Sequence, residues 1–229
     1  MCSNYDEIDD SDRLLHEFGV SYSNKSEMLR EVAKRRQKWP TDLAAFIRLH
    51  ESGSGDKVIE HGTFGLLPGF AKEVAYGRRT YNARTETVHK LPSFRESWAK
   101  GWRCIVPVET LYEPNYESGK AVRWGVNRED GKALAVAGIY REWESPDGKK
   151  MFSFAMLTVN AEGHPVYSRF HKPGDEKRMV VILDDMGQQD DWLTCTVEEA
   201  RKYFRQSPVP LKPFPAPLVR KYRGPQQAM

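Results

Sequence analysis

The sequence predicts an α+β fold, a curved and mainly antiparallel β-sheet with peripheral helices. Three observations predict it. From residue 101 onward, apolar and β-branched runs of strand length alternate with short turns. Before residue 50, apolar positions recur at helical spacing. Apolar residues make up 39% of the 229-residue chain, enough to fill the core of one large domain, and no shift in composition divides it.

Taken in order, residues 11–20 and 26–39 read as amphipathic helices. Ser26 caps the second, Met28, Leu29 and Val32 line one side of it, and Pro40 stops it. Residues 42–50 are expected to form a further short helix. Residues 51–57 (ESGSGDK) are a flexible loop or hairpin tip, 58–67 are extended, and Leu67-Pro68-Gly69 is a turn. Strands follow at 102–108, 121–126, 132–143 and 151–159. The turns Glu129-Asp130-Gly131 and Ser145-Pro146-Asp147-Gly148 separate the last three. Residues 178–183 (RMVVIL) read as a fully buried strand. Residues 197–206 read as a helix capped by Thr196, with Glu198 and Glu199 in its first turn. Residues 208–217 are Pro-rich and extended. The expected organisation is a single domain, 1–229, with a Pro-rich basic tail at about 207–229.

Composition narrows the function classes. Mean hydropathy is −0.67, and no apolar run approaches the ~20 residues of a membrane helix. The acidic start (Asp6, Glu7, Asp9, Asp10, Asp12) is unlike a secretory signal. Three distant cysteines argue against a disulfide framework and for a reducing compartment. Cys104 and Cys195 read as packing residues, Cys195 partly exposed. No Cys/His spacing resembles a zinc site. The expectation is a monomer in the cytoplasm, nucleoid-associated, with no membrane contact, no metal and no organic cofactor.

Charge is distributed unevenly. Between Ala71 and Cys104 eight Lys/Arg face three acids, and from Arg201 to the end seven Lys/Arg face none. Two basic segments can follow a phosphate backbone, or form a solvated basic face balanced by the acidic start.

The candidate chemistry starts at Cys2. Removal of Met1 would leave a residue carrying both a free α-amine and a thiol, whose ordinary pKa values lie near ~7.7–8.0 and ~8.5. Such a 1,2-aminothiol can hydrolyse amides as an N-terminal nucleophile, or condense with an aldehyde and close to a thiazolidine. It can also be an ordinary residue on a frayed end. The segment Tyr81-Asn82-Ala83-Arg84-Thr85-Glu86-Thr87 is densely polar. Its Arg84 offers a bidentate phosphate fork, or simply pairs with a glutamate on a surface strand. Glu113, in Leu111-Tyr112-Glu113-Pro114, closes an apolar strand and can act as general acid or base, or cap a turn. His164 and His171 lie in a loop ahead of the RMVVIL strand; a histidine beside a carboxylate can shuttle protons, or a single histidine can be a structural hydrogen-bonder. Phe64-Gly65-Leu66-Leu67-Pro68-Gly69-Phe70 is either core or an apolar wedge for bases.

In order and spacing these pieces resemble the SRAP family, the SOS-response-associated abasic-site-processing proteins. The resemblance runs through Met1-Cys2, Phe64-Gly65-Leu66-Leu67-Pro68, Asn82-Ala83-Arg84-Thr85-Glu86-Thr87 and Arg103-Cys104-Ile105-Val106-Pro107. It continues through Leu111-Tyr112-Glu113, Ala137-Gly138-Ile139-Tyr140 and Arg178-Met179-Val180-Val181-Ile182-Leu183. It implies a barrel-like sheet and a protein that binds single-stranded DNA and links covalently to abasic sites through Cys2. Asn82 would orient the sugar and the Cys2 amine, Glu113 would move protons, and a histidine would assist ring opening and reversal. Arg84 would hold a flanking phosphate, with Arg78, Arg79, Phe64, Leu67 and Pro68 completing the DNA surface. The family histidine stands one residue ahead of Arg-Met; Glu176-Lys177 fill that place here, so the role passes to His171, with His164 as runner-up. Many members begin Cys-Gly-Arg where this chain has Cys2-Ser3-Asn4, and Phe64 and Phe70 stand at family tryptophans. Two other readings remain: an N-terminal-nucleophile amidohydrolase or peptidase that processes its own Met1, and a binding module with no covalent step.

Overall fold

The computed structural model describes residues 3–8, 10–23 and 35–218. Within them lie the strands β1 (Asn4–Glu7), β2 (Gln37–Lys38), β3 (Leu43–Leu49), β4 (Lys57–Phe64), β5 (Asn82–Arg84) and β6 (Arg103–Asn115). They continue with β7 (Val122–Arg128), β8 (Leu134–Glu144), β9 (Lys150–Asn160), β10 (Arg178–Val180), β11 (Ile182–Leu183) and β12 (Leu211–Pro215). Five of them close a ring. β6 pairs β8, β8 pairs β9, β9 pairs β4, β4 pairs β3, and β3 returns to β6. All these pairings are antiparallel except β4–β9, so the expected curved, mainly antiparallel sheet is a small mixed barrel with extra strands.

β6 does more than close the ring. Its first half, Arg103 to Val108, lies against β8; its second half, Leu111 to Asn115, lies against β7. β1 pairs the other edge of that second half, with Asn4 opposite Tyr112 and Tyr5 opposite Leu111. β6 is buried on both faces, so it reads as a continuous apolar run rather than an alternation. A bulge at Glu109 offsets the pairing of Asp6 and Glu7.

The barrel interior is filled by rings. Phe64 packs against Tyr5 at 5.2 Å, Tyr81 at 5.7 Å and Phe154 at 5.6 Å, and Phe46 against Phe154 at 5.3 Å. Each fully buried phenyl ring contributes about 1.5–3 kcal/mol. The helix Met186–Thr194 covers one end. Its Trp192 indole donates to the Cys104 carbonyl, and Arg103 donates back to the carbonyls of Trp192 and Cys195. A cation on the last carbonyls of a helix suits its dipole.

Several expectations meet their elements. The helix α1 (Ser11–Phe18) starts where Asp10 accepts from the amides of Asp12 and Arg13, and stops at Gly19 in the left-handed region. The hairpin turns and the strands β4 and β6–β9 fall where the sequence puts them, give or take their ends. Thr196 and Glu199 cap each other reciprocally, but the helix they start is the 3-10 segment Glu199–Tyr203 and not an α-helix over 197–206.

Others are corrected. Residues 42–50 form β3, not a helix. Leu, Ala and Arg permit either form, and the run is apolar on both faces because the sheet covers both, which erases the strand alternation. Of the helix expected at 26–39, residues 26–34 lie outside the described residues, and the remainder carries the strand β2, paired with β1. The RMVVIL run is buried but divides at Val181: β10 pairs β9, and β11 pairs β8. The stretch at 208–217 is extended as expected, and there β12 adds to the edge of β7. That edge position tolerates Pro213 and Pro215. Cys195 is buried, as is Cys104. Burial pushes both thiols up, away from nucleophilic use. Among the described residues no helix is long and apolar enough to cross a membrane.

Gly65 holds the turn that leads from β4 toward β5. Its φ is 128°, and a Cβ there would sit 2.3 Å from the Gly77 carbonyl oxygen. Gly65→Ala is therefore expected to cost about 1–3 kcal/mol. A lower urea midpoint with an unchanged slope would show it; an unchanged midpoint would mean that the two segments do not touch.

Candidate active site

β1 delivers the start of the chain to one place. Because Asn4 lies opposite Tyr112, the chain enters the sheet beside the end of β6 that carries Glu113. Cys2 itself lies outside the described residues. Glu113 is buried, and its cross-strand neighbour is Trp124.

The second group comes from a loop. After the 3-10 turn Tyr167–Arg169, Phe170 bridges to Asn115, and the His171 amide donates to the Pro114 carbonyl at 2.9 Å. This lays the buried His171 ring along the end of β6, with Nε2 3.3 Å from Glu113 Oε2. His171 has φ 66°, a left-handed conformation uncommon outside glycine. Holding it costs on the order of 1–3 kcal/mol, and such residues cluster at functional sites. What holds it is Lys177, whose ammonium donates to the carbonyls of Phe170, His171 and Lys172 at 2.8, 3.2 and 3.4 Å.

His164 is placed differently. Its Nδ1 accepts from the amides of Val166 and Tyr167, both at 3.1 Å, and the ring meets Tyr167 edge-on at 5.5 Å. Burial lowers its pKa, against a hydrogen bond to the Ser207 backbone. It is the staple of a turn, facing a cleft with Pro165, Val166 and residues 206–211.

Asn82 opens β5, which lies parallel to β9 with Asn82 opposite Met156. The preceding residue, Tyr81, joins the ring chain that runs through Phe64 to Tyr5, so Asn82 is tied to the same region as β1. Arg84, at the other end of β5, is exposed and donates to Glu176 at 2.8 Å. Arg78 and Arg79 are exposed on the 3-10 segment Val74–Arg79. Phe64, Leu67 and Pro68 are buried, which corrects their expected role in touching bases. Phe64 is part of the barrel interior, and the aromatic this segment shows to solvent is Phe70, 55% exposed.

Behind Arg84 is an ion-pair chain. Buried Arg178 holds both carboxylate oxygens of Glu86, at 2.8 and 2.9 Å, and Oε1 of Glu176 at 2.7 Å. Burial pushes the Glu86 carboxyl up, yet the Arg178 fork outweighs it and leaves Glu86 below its usual range. The Arg178 hydrogen bond likewise holds Glu176 down.

Sequence reasoning missed Lys177 as the holder of the His171 loop. It also missed a stacked pair beside Glu113, in which the Arg169 guanidinium lies 5.1 Å from the Trp124 ring centre. The only signal in the sequence was that Glu176-Lys177 fill the place of a family histidine. Among the described residues no group of three or more His, Cys, Asp or Glu is arranged to hold a metal ion.

Both carboxylates are depressed in the folded state, so their contribution is complete above the unfolded value near ~4.3 and is lost as pH falls below it. The melting temperature is expected to fall between about pH 5 and pH 3, and less steeply in Glu86→Gln/Glu176→Gln. Parallel pH profiles for the two proteins would rule out this ion-pair chain as the source.

The family model described as SOS response associated peptidase (SRAP) matches residues 1–221. The chain is 29% identical over 131 residues to the abasic site processing protein YoqW of Bacillus subtilis, covering 57% of this chain and 54% of that one. It is 27% identical over 179 residues to the abasic site processing protein HMCES of Rattus norvegicus, covering 64% and 48%. It thus spans about half the length of these curated relatives. A crystal structure of a Bordetella bronchiseptica protein superposes with a TM-score of 0.83 at 33% identity, covering 95% of this chain and 100% of that one. A Bacteroides thetaiotaomicron protein at 19% identity shares the fold with a TM-score of 0.74, covering 93% and 91%.

Proposed function

The chain belongs to the SOS response associated peptidase family, and from that premise we propose that it processes abasic sites in single-stranded DNA by linking to them covalently through Cys2. The observation that carries this reading is the Glu113–His171 pair at the end of β6 where β1 brings in the chain start. Two peptide units, about 7 Å when extended, separate Asn4 from Cys2.

Once Met1 is removed, the Cys2 amine attacks the C1′ aldehyde of the opened sugar. Water leaves and a Schiff base remains. The Cys2 thiolate then adds to the imine carbon, the nitrogen takes a proton, and a thiazolidine ring closes. Glu113 supplies and removes protons in carbinolamine breakdown, and His171 passes them on during sugar opening. Asn82 orients the sugar and the amine. Arg84 holds a flanking phosphate, and Arg78 and Arg79 follow the backbone. The linked protein then shields the lesion in the DNA damage response.

The test is intact mass after incubation with a uracil-containing single-stranded oligonucleotide treated with uracil glycosylase. The parent is expected to lack Met1 and to gain the oligonucleotide mass, and Cys2→Ala is expected not to. Glu113→Gln and His171→Gln should each slow linkage roughly a hundredfold, while His164→Gln should lower the melting temperature and leave the rate. No adduct from the parent, or equal adduct from Cys2→Ala, would sink the proposal, and peptide turnover without DNA would move the assignment to amide hydrolysis.

A further inference from the structure

We infer that Glu176 is a resident anion that a DNA phosphate must displace from Arg84, so that this one carboxylate sets how tightly the chain holds the strand. The inference rests on the reading above that Arg84 contacts DNA. Glu176 divides its two oxygens. Oε1 faces inward, to the Arg178 guanidinium at 2.7 Å and the Asn160 amide at 3.3 Å. Oε2 faces outward, to Arg84 at 2.8 Å. The inner side is fixed: the Arg178 side chain is 2% exposed, and its donors are shared among Glu86, Glu176 and the Thr158 carbonyl and hydroxyl. The outer side is loose, with the Arg84 side chain 47% exposed. The carboxylate is therefore held from behind, and Arg84 is the half that moves.

An arginine fork takes carboxylate and phosphate in the same geometry. A phosphate reaching Arg84 must break the pair and then lie beside the freed Oε2, a like charge that Arg178 and Asn160 keep from swinging away. Both effects oppose binding. Exposed pairs of this kind are weak, which limits the effect to about two- to fivefold in affinity. Glu176 thus tunes strand affinity, and Arg178 serves to seat Glu176 and does not itself reach the DNA.

The experiment is equilibrium binding, by fluorescence anisotropy, of a single-stranded oligonucleotide carrying a tetrahydrofuran abasic analogue. The analogue lacks the C1′ hydroxyl and forms no aldehyde, so no crosslink interferes. The full chain is compared with Glu176→Gln, Arg84→Ala and the double variant, each with a thermal melt. Glu176→Gln is expected to bind about two- to fivefold tighter than the parent, and the gain is expected to vanish in the Arg84→Ala background. Equal or weaker binding by Glu176→Gln overturns the inference. So does a gain that persists without Arg84, since that would be general charge repulsion. If the parent does not bind, or Arg84→Ala binds as the parent does, the DNA reading of Arg84 fails and the inference falls with it. Should Glu176→Gln melt below the assay temperature, binding is measured at a lower temperature where it is folded, with the same expected sign and the same outcomes overturning the inference.

Discussion

The fold and the candidate site both depend on β6 being one continuous strand. Its first half closes the barrel between β3 and β8. Its second half leaves the ring and is paired instead by β1 and β7. A slip of this strand by one residue would exchange the side chains packed on its two faces. The β6 residues packed in the core, Ile105, Val106, Val108 and Leu111, thus fix its register, and with it the position of Glu113. The same register fixes where β1 enters, so barrel packing positions both ends of the proposed chemistry.

The second support is electrostatic and local. Two adjacent residues, Glu176 and Lys177, work in opposite directions from one strand entrance. Lys177 gathers three carbonyls of the loop that carries His171, and so holds a backbone conformation the chain would otherwise leave. Glu176 reaches the other way and joins Arg84 to the buried Arg178. A buried arginine left unpaired would be costly, so Glu86 and Glu176 contribute to stability as well as lying close to the proposed DNA surface.

In the proposed assignment a histidine serves the site from a different place in the sequence. Where the family histidine would stand, a glutamate and a lysine stand instead. The loop before them brings His171 to Glu113 by a backbone bridge to β6. His164, similar by sequence context, is spent on a turn. The sequence ranks His171 ahead of His164, and the three-dimensional pairing is what brings it to Glu113.

By itself the sequence determined the strand-rich second half and its turns, because Gly, Pro and Asp punctuation and β-branched runs are local signals. It also determined Thr196 as a cap and, through ordered motifs, the prominence of Asn82, Arg84 and Glu113. The tertiary structure alone decided that residues 42–50 are a strand, since a segment covered on both faces loses the periodicity that would identify it. It alone decided that Phe64 is interior and that His171, not His164, meets Glu113. Those outcomes depend on contacts between residues far apart in the chain, and these follow from how the barrel closes rather than from any local propensity.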